Sequence, residues 1–545
     1  MSTQRPAWIS RLILYSPVIV CLAIMLPRLL SAQFGFFDDG RTVSTAAQMT
    51  EGSWDWNWDL TAGRFRPVYR LFFALPYVLF GKEPFWYFIA NTILFMLTVV
   101  VTIALVLRLG GSKVQAWTTG MLFAISGPII ENYYTLSKGE ALQLMLIVSS
   151  LLLLSFLNTL QSTRKKIGLL AAITLVLFAA HATKETSLIM ILISLAWLIV
   201  AGISKKFKRS PNHWSAYAAY LFANILAGTS FIVLRTIFIP KTVGGSYTGN
   251  YEFGLSRILA SLIRWSGWLI RDYAYLAPLL LIAVIWCLRN RRIPQSELLL
   301  NTLIWSIAWM GIFLPWKYTV EYYMLAFALG AAFLGGWLIS QVLGDVLSIR
   351  RSKWTRILSA MGLAASASLL IIAQCNNIAT ARIQLAIDAA NGKLLEYLIH
   401  QIPTGGTVWL NIQTSNEYVE QLGFLKDAWG RTDIQVKLFQ NTLTPGNNNF
   451  IVTPFVHNHP LLTVRMGVIE ANQKPWNQDL QSYLSTHSGW VQGYATEQHF
   501  HLTILDLPRL MCPVMQGRNF CTTKLPILDT RLFTYGWQIY RLENP

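Results

Sequence analysis

Hydrophobic residues in this chain come in long unbroken runs. The first, "LILYSPVIVCLAIMLPRLL" (12–30), is followed by others near 85–107, 114–130, 140–158, 167–182, 187–203, 216–238, 273–288, 298–315, 322–343 and 357–374. A helix crosses the hydrocarbon core with about 20 apolar residues, so together with the first, placed at 12–32, the pattern predicts about eleven transmembrane helices. The first is read as a retained span and not a cleaved leader, because its apolar run is too long and no small-residue cleavage site follows Pro27-Arg28. "RLFFALPYVLF" (70–80) is apolar but short and interrupted by Pro76, which predicts an interfacial or re-entrant piece. Beyond about residue 375 the pattern changes. "TVWLNI" (407–412), "IQVKLFQ" and "NFIVTPFV" have strand character, and "SNEYVEQLGFLKDAWG" (415–430) has helical spacing. The expected fold class is an α-helical polytopic membrane protein, with a transmembrane domain at 1–374 and a soluble α/β domain at 375–545.

Composition sharpens this picture. The chain is 54% hydrophobic and 13% charged, with mean hydropathy +0.43, against about 25% charged residues in soluble domains. The net charge of +18 looks at first like a nucleic-acid surface, but its placement says otherwise. With the N-terminus inside, the cytoplasmic segments hold eighteen basic residues, and Glu297 and Asp345 are their only acids. The excess is an orientation signal; no nucleic-acid partner is expected. An odd number of spans puts the C-terminal domain outside, in the periplasm if the cell is Gram-negative. There Cys512 and Cys521 could form a disulfide.

The polar residues in need of explanation then fall in outer loops: 33–84, "ENYYTLSKGE" (131–140), "HATKET" (181–186), 239–257 and "PWKYTVEYY" (315–323). Asp38 and Asp39, in "FGFFDDGRTV", open the first of these. One could be a general base, its pKa raised by its neighbour and by burial. Both could instead hold a divalent cation, or cap the helix that begins there. Arg64, Arg66, Lys138, Lys184 and Lys317 lie outside, where topology asks for no positive charge, and suit a phosphate or diphosphate; phospholipid contact or local pairs such as Lys184 with Glu185 and Lys138 with Glu140 are the alternatives. Glu131, Tyr318 and Glu321 are candidate acceptor or metal contacts. Trp54, Trp56 and Trp58 could stack on a sugar or belong to the aromatic belt. Arg28 near the outer end of the first span could snorkel or pair with Asp38. His181 receives no role.

The acidic pair directly after the first span, in "FFDDGRTV", resembles the GT-C superfamily of membrane glycosyltransferases, in the style of bacterial aminoarabinose transferases and protein O-mannosyltransferases. "GRFRPVYRL…FGKEPFWYFIANTILF", "SKGE", "TKET" and "WKYTVEYYMLAFALGAAF" resemble their later segments, over roughly residues 10–345. Asp39 stands where those enzymes have Glu, and Arg41 where they often carry Arg. The resemblance implies an inverting transferase in the cell inner membrane. It would move a sugar from a polyprenyl-phosphate donor to a glycan, lipid or protein acceptor on the extracytoplasmic side. Asp38 matches the catalytic carboxylate and Asp39 a supporting or metal-associated one; metal use stays open. A flippase or transporter for a lipid-linked glycan would call for charges inside the spans or an inverted repeat. An O-antigen polymerase or ligase would place its arginines and histidines in one late outer loop. A membrane anchor would leave all the work to the C-terminal domain.

Overall fold

A computed structural model describes residues 7–36, 39–52, 64–136, 138–206, 214–239, 251–290, 296–317, 320–348, 352–412, 416–443, 445–457, 474–501 and 532–542. Asp38, Tyr318, Trp54, Trp56, Trp58, Cys512 and Cys521 lie outside the described residues.

Each of the eleven apolar segments contains helix, but not all are long enough to cross alone. Among the described residues, seven helices are: Pro84–Arg108, Gly139–Leu157, Thr163–Thr183, Glu185–Ile203, Trp214–Phe238, Glu321–Leu347 and Lys353–His400. The pair Leu255–Tyr273 and Leu276–Trp286, bent by 87°, makes an eighth if counted as one span. The segments at 12–32, 114–130 and 298–315 form helices of 14, 12 and 16 residues: Pro17–Leu30, Lys113–Ala124 and Ser296–Gly311. At 1.5 Å per residue these reach only about 18–24 Å of a core about 30 Å thick. Among the described residues, seven of the expected spans, or eight with the bent pair, are thus long enough to cross by themselves, and the other segments form shorter helices packed among them. Local breaks are the cause: Pro17 starts a new helix after Tyr15, and the chain turns at Ser126-Gly127 after Ala124. The piece at 70–80 is helix Pro67–Phe80.

The 239–257 loop runs into a helix that the hydropathy pattern did not predict. In Leu255–Tyr273 the exposed side carries Leu255, Leu259, Ile263 and Ile270, while Arg257, Arg264 and Arg271 recur every seven residues. Averaged along the sequence the two faces cancel, which is how an amphipathic helix escapes a search for uniformly apolar runs.

The strands expected beyond residue 400 are present. The five-stranded sheet has the order β2-β1-β3-β5-β4, with β1 Thr407–Leu410, β2 Gln435–Leu438, β3 Asn449–His457, β4 Trp490–His501 and β5 Leu532–Leu542. β1 runs parallel to β2 and β3, while β5 is antiparallel to β3 and β4. Helix Asn416–Ala428 connects β1 to β2, the crossover that parallel neighbours require. Helix Lys353–His400 is 48 residues long and continues through the expected boundary at 374/375 without a break. Its last turns share one apolar core with the sheet and the first outer loop: Leu394, Leu398, Val408, Leu422 and Trp537 pack with Phe34, Phe36, Val43 and Phe88.

Candidate active site

Asp39 begins helix Asp39–Thr50 and is fully buried. The Gly35 N–H donates to its Oδ2 at 2.8 Å and the Leu136 N–H to its Oδ1 at 2.9 Å. The carboxylate thus ties the end of the first apolar segment, its own helix and the segment at Leu136 together. Burial pushes its pKa up to about 7, although the two N–H donors and Arg28 pull it down; Asp388 adds to the rise. Gly35 packs closely here: a Cβ would lie 3.3 Å from Asp388 Oδ1 and 3.4 Å from Asp39 Oδ2. Tyr69 holds the other side of Leu136: its hydroxyl donates to the Leu136 carbonyl at 2.8 Å and lies 3.3 Å from the Thr42 hydroxyl. Two polar groups therefore fix the one residue that leads toward Lys138.

Arg28 neither snorkels nor needs Asp38. It is buried, pairs with Asp388 at 2.8 Å, donates to the Gln33 carbonyl at 2.8 Å and lies 4.0 Å over the Phe88 ring. Gln384 donates to both oxygens of Asp388 at 3.1 Å. The partner lies on the long helix Lys353–His400, beyond any local reading.

Beside helix Asp39–Thr50 a cavity of ≈ 170 Å³ gathers basic residues from five separate segments. Arg41 comes from the acidic-pair helix; Arg64, Arg66 and Arg70 from the approach to helix Pro67–Phe80; Lys138, Lys184 and Arg235 from later outer loops and a span end. Glu140 and Glu185 are the acids on its wall, and Tyr251, Trp316, Tyr322 and Tyr323 supply aromatic faces. The ion pairs cross between loops. Glu185 takes Arg66 in a two-pronged contact of 3.1 and 3.2 Å, while Lys184 pairs with Glu140. Lys138 sits 4.4 Å from the Tyr322 ring and Lys184 4.8 Å from that of Tyr323. Burial draws the Lys184 ammonium down to about 8, with Glu140 opposing and Arg66 reinforcing the shift.

Four of the predicted basic residues, Arg64, Arg66, Lys138 and Lys184, thus line one cavity. Lys317 is exposed and does not line it, although its neighbour Trp316 does. Glu321 is buried, bonded to Arg271 beside Asp272, and does not line this cavity. Glu131 is also buried, in the short helix Ile129–Tyr133. Arg235 was not anticipated. Its signal was available: an arginine one turn from the outer end of an otherwise uncharged span. Among the described residues no three His, Cys, Asp or Glu side chains assemble as a metal site. Asp39 is sealed with each oxygen already accepting an N–H, so it does not fit the metal-ligand role.

The C-terminal region reaches this site. Helix Asn416–Ala428 packs on helix Asp39–Thr50, with Glu420 3.3 Å from Arg41 and the Phe424 ring 5.4 Å from its guanidinium.

No protein-family model matches the sequence, and no curated protein matches it either. Solved structures do. The oligosaccharyltransferase of Archaeoglobus fulgidus in its apo form superposes with TM-score 0.52 at 12% identity, over 80% of this chain and 65% of that one. This chain therefore spans just under two thirds of that enzyme's length. ArnT from Cupriavidus metallidurans bound to undecaprenyl phosphate gives TM-score 0.50 at 13% identity, over 80% of this chain and 92% of that one. With its apolar helical bundle, the helix Asp39–Thr50 after the first apolar segment and the C-terminal α/β region, the chain has the GT-C membrane fold.

Proposed function

We propose that the protein is a glycosyltransferase of the cell inner membrane. It would move a sugar from a polyprenyl-phosphate donor to a glycan, lipid or protein acceptor on the extracytoplasmic side, with the α/β domain in the periplasm. The observation that carries this reading is the cavity itself. Among the described residues, seven basic side chains and two acids line ≈ 170 Å³ next to the acidic-pair helix, a set of N–H donors matched to a phosphate leaving group. The GT-C fold, and the undecaprenyl phosphate bound in ArnT, are consistent with a lipid carrier.

In this scheme Asp38 removes a proton from the acceptor hydroxyl or amine. The nucleophile attacks the anomeric carbon opposite the phosphate, and the carbon–oxygen bond to phosphate breaks with inversion. Arg64, Arg66, Lys138 and Lys184 stabilise the negative charge that gathers on the departing polyprenyl phosphate. The base role goes to Asp38 because Asp39 is enclosed and committed to two backbone N–H groups. Asp39 instead positions the segment in which Asp38 stands. The approach of helix Asn416–Ala428 to Arg41 through Glu420 and Phe424, and the shared core behind it, support a role for 375–545 in holding the first loop in place.

The test is transfer of labelled sugar from a panel of polyprenyl-phosphate donors by the full-length protein in lipid. Wild type is expected to transfer, and Asp38→Asn to lose about 10²–10⁴-fold in kcat, the span of general base catalysis, with its thermal unfolding unchanged. Turnover by folded Asp38→Asn at the wild-type rate would sink the assignment of the base.

A further inference from the structure

The larger cavity in this protein is at the opposite end of the bundle. A volume of ≈ 670 Å³ opens among the C-terminal ends of Pro84–Arg108 and Gly139–Leu157 and the first turns of Ser296–Gly311. Its size falls within the range of about 300–1,000 Å³ that small-ligand sites occupy. Most of the wall is apolar, with Leu105, Leu154, Trp197, Trp305 and Phe333 among its side chains. Set into that wall are three oxygens without a partner among the described residues: both carboxylate oxygens of Glu297 and the Oδ1 of Asn301. Asn301 is only 6% exposed, and its other groups are spent: its Nδ2 donates to the Tyr217 hydroxyl at 3.1 Å and its carbonyl accepts from the Trp197 indole at 3.0 Å. Arg108 stands at the exposed rim, 4.1 Å over the Phe156 ring and 3.3 Å from the Ser155 carbonyl.

A buried carboxylate with no partner is strongly unfavourable, and here its site is wide enough to admit one. A primary ammonium brings one positive charge and three N–H donors, which matches three unpaired oxygens and one negative charge. The apolar wall asks for hydrocarbon on the same molecule, and Arg108 asks for an anion at the rim. A quaternary trimethylammonium lacks the N–H donors, and a glycerol headgroup lacks the charge. We propose that this cavity binds an ethanolamine phospholipid, with its ammonium on Glu297 and Asn301, its phosphate at Arg108 and an acyl chain against the apolar wall. The site is separate from the basic cavity, and its occupancy does not depend on the transferase reading. One element touches both. Helix Leu325–Leu347 lines the lipid cavity at Leu329 and Phe333, and the turn that leads into it carries Tyr322 and Tyr323 over Lys138 and Lys184.

Thermal unfolding of the full-length protein in detergent, titrated with palmitoyl-oleoyl phosphatidylethanolamine, phosphatidylcholine or phosphatidylglycerol, tests this. The ethanolamine lipid is expected to raise the midpoint by roughly 3 °C or more beyond the other two, as a ligand specific to the folded state does. Glu297→Gln is expected to erase that preference while its lipid-free midpoint equals or exceeds that of wild type, because the unpaired carboxylate is gone. Should Glu297→Gln fail to fold, Arg108→Gln at the exposed rim is expected to raise the half-saturating lipid concentration about tenfold, the loss of one charge-assisted contact. Equal responses to all three lipids overturn the proposal, as does an ethanolamine preference that survives in Glu297→Gln or an unchanged half-saturation in Arg108→Gln.

Discussion

At the scale of single residues, two adjacent carboxylates receive different work. Asp39 is held near neutrality by burial, with its pKa at about 7 against an ordinary carboxylate value of 3.8. Between about pH 4 and 7 the folded protein keeps a proton there that the unfolded chain has released. The contribution of this group to stability therefore falls as pH rises through that window and levels off above it. Thermal unfolding midpoints measured from pH 4 to 8 should show that decline in wild type, and Asp39→Asn should flatten it. The same variant turns an amide NH₂ toward one of two backbone N–H donors, at a cost of about 1–3 kcal/mol. Lys184 carries the complementary expectation. With its ammonium drawn down to about 8, it loses charge as pH rises through that value, so donor KM should climb above pH 8, and Lys184→Arg should move that rise to higher pH.

At the scale of elements, the outer-loop helix Asp39–Thr50 is clamped from both sides. On one side Arg28 and Asp388 form a buried pair between the first span and the long helix, with exposures of 0% and 1%. Removing one partner of such a pair is expensive, about 3–5 kcal/mol, whereas removing both with well-packed apolar groups is often neutral. Arg28→Met should therefore destabilise by that amount, and Arg28→Met with Asp388→Leu should recover most of it in urea or thermal unfolding. On the other side, Arg41 contacts Glu420 at 3.3 Å while lining the basic cavity. Glu420 is half exposed, so its pairing contributes less than about 1 kcal/mol. Arg41→Gln should lower donor kcat/KM about tenfold, the loss of one charge-assisted hydrogen bond. Glu420→Gln should leave it within about twofold if the C-terminal helix acts only as a support.

At the scale of the whole molecule, the C-terminal α/β region and the first outer loop share one core, in which Trp537 donates to Asn391 Oδ1 at 2.9 Å and Phe36 packs against its ring. Deleting residues 401–545 would strip that core from Phe34, Phe36 and Val43. Loss of sugar transfer together with a lowered unfolding midpoint is the expected result; full activity from the truncated chain would overturn the supporting role given to this region.

The apolar runs, the strand and helix segments beyond residue 400, and the segregation of basic residues were all legible from the sequence, because each is a local property repeated many times. So were four of the residues that meet in the basic cavity: Arg64, Arg66, Lys138 and Lys184 stand out as charges that the expected topology does not require. What only the tertiary structure decided were the pairings. Arg28 meets Asp388 across 360 positions, Lys184 takes Glu140 and leaves Glu185 to Arg66, and Arg235 joins the cavity. A local pattern carries no record of such distant partners, since a buried charge is satisfied by whatever the packing of other helices brings within reach. The short helices at 17–30, 113–124 and 296–311 were hidden for a related reason. Hydropathy counts apolar residues, but helix length is set by where the backbone turns, and neighbouring helices allow those turns by bonding the freed backbone groups that lipid cannot, as Gln374 and Asn377 do for the Ile125 carbonyl.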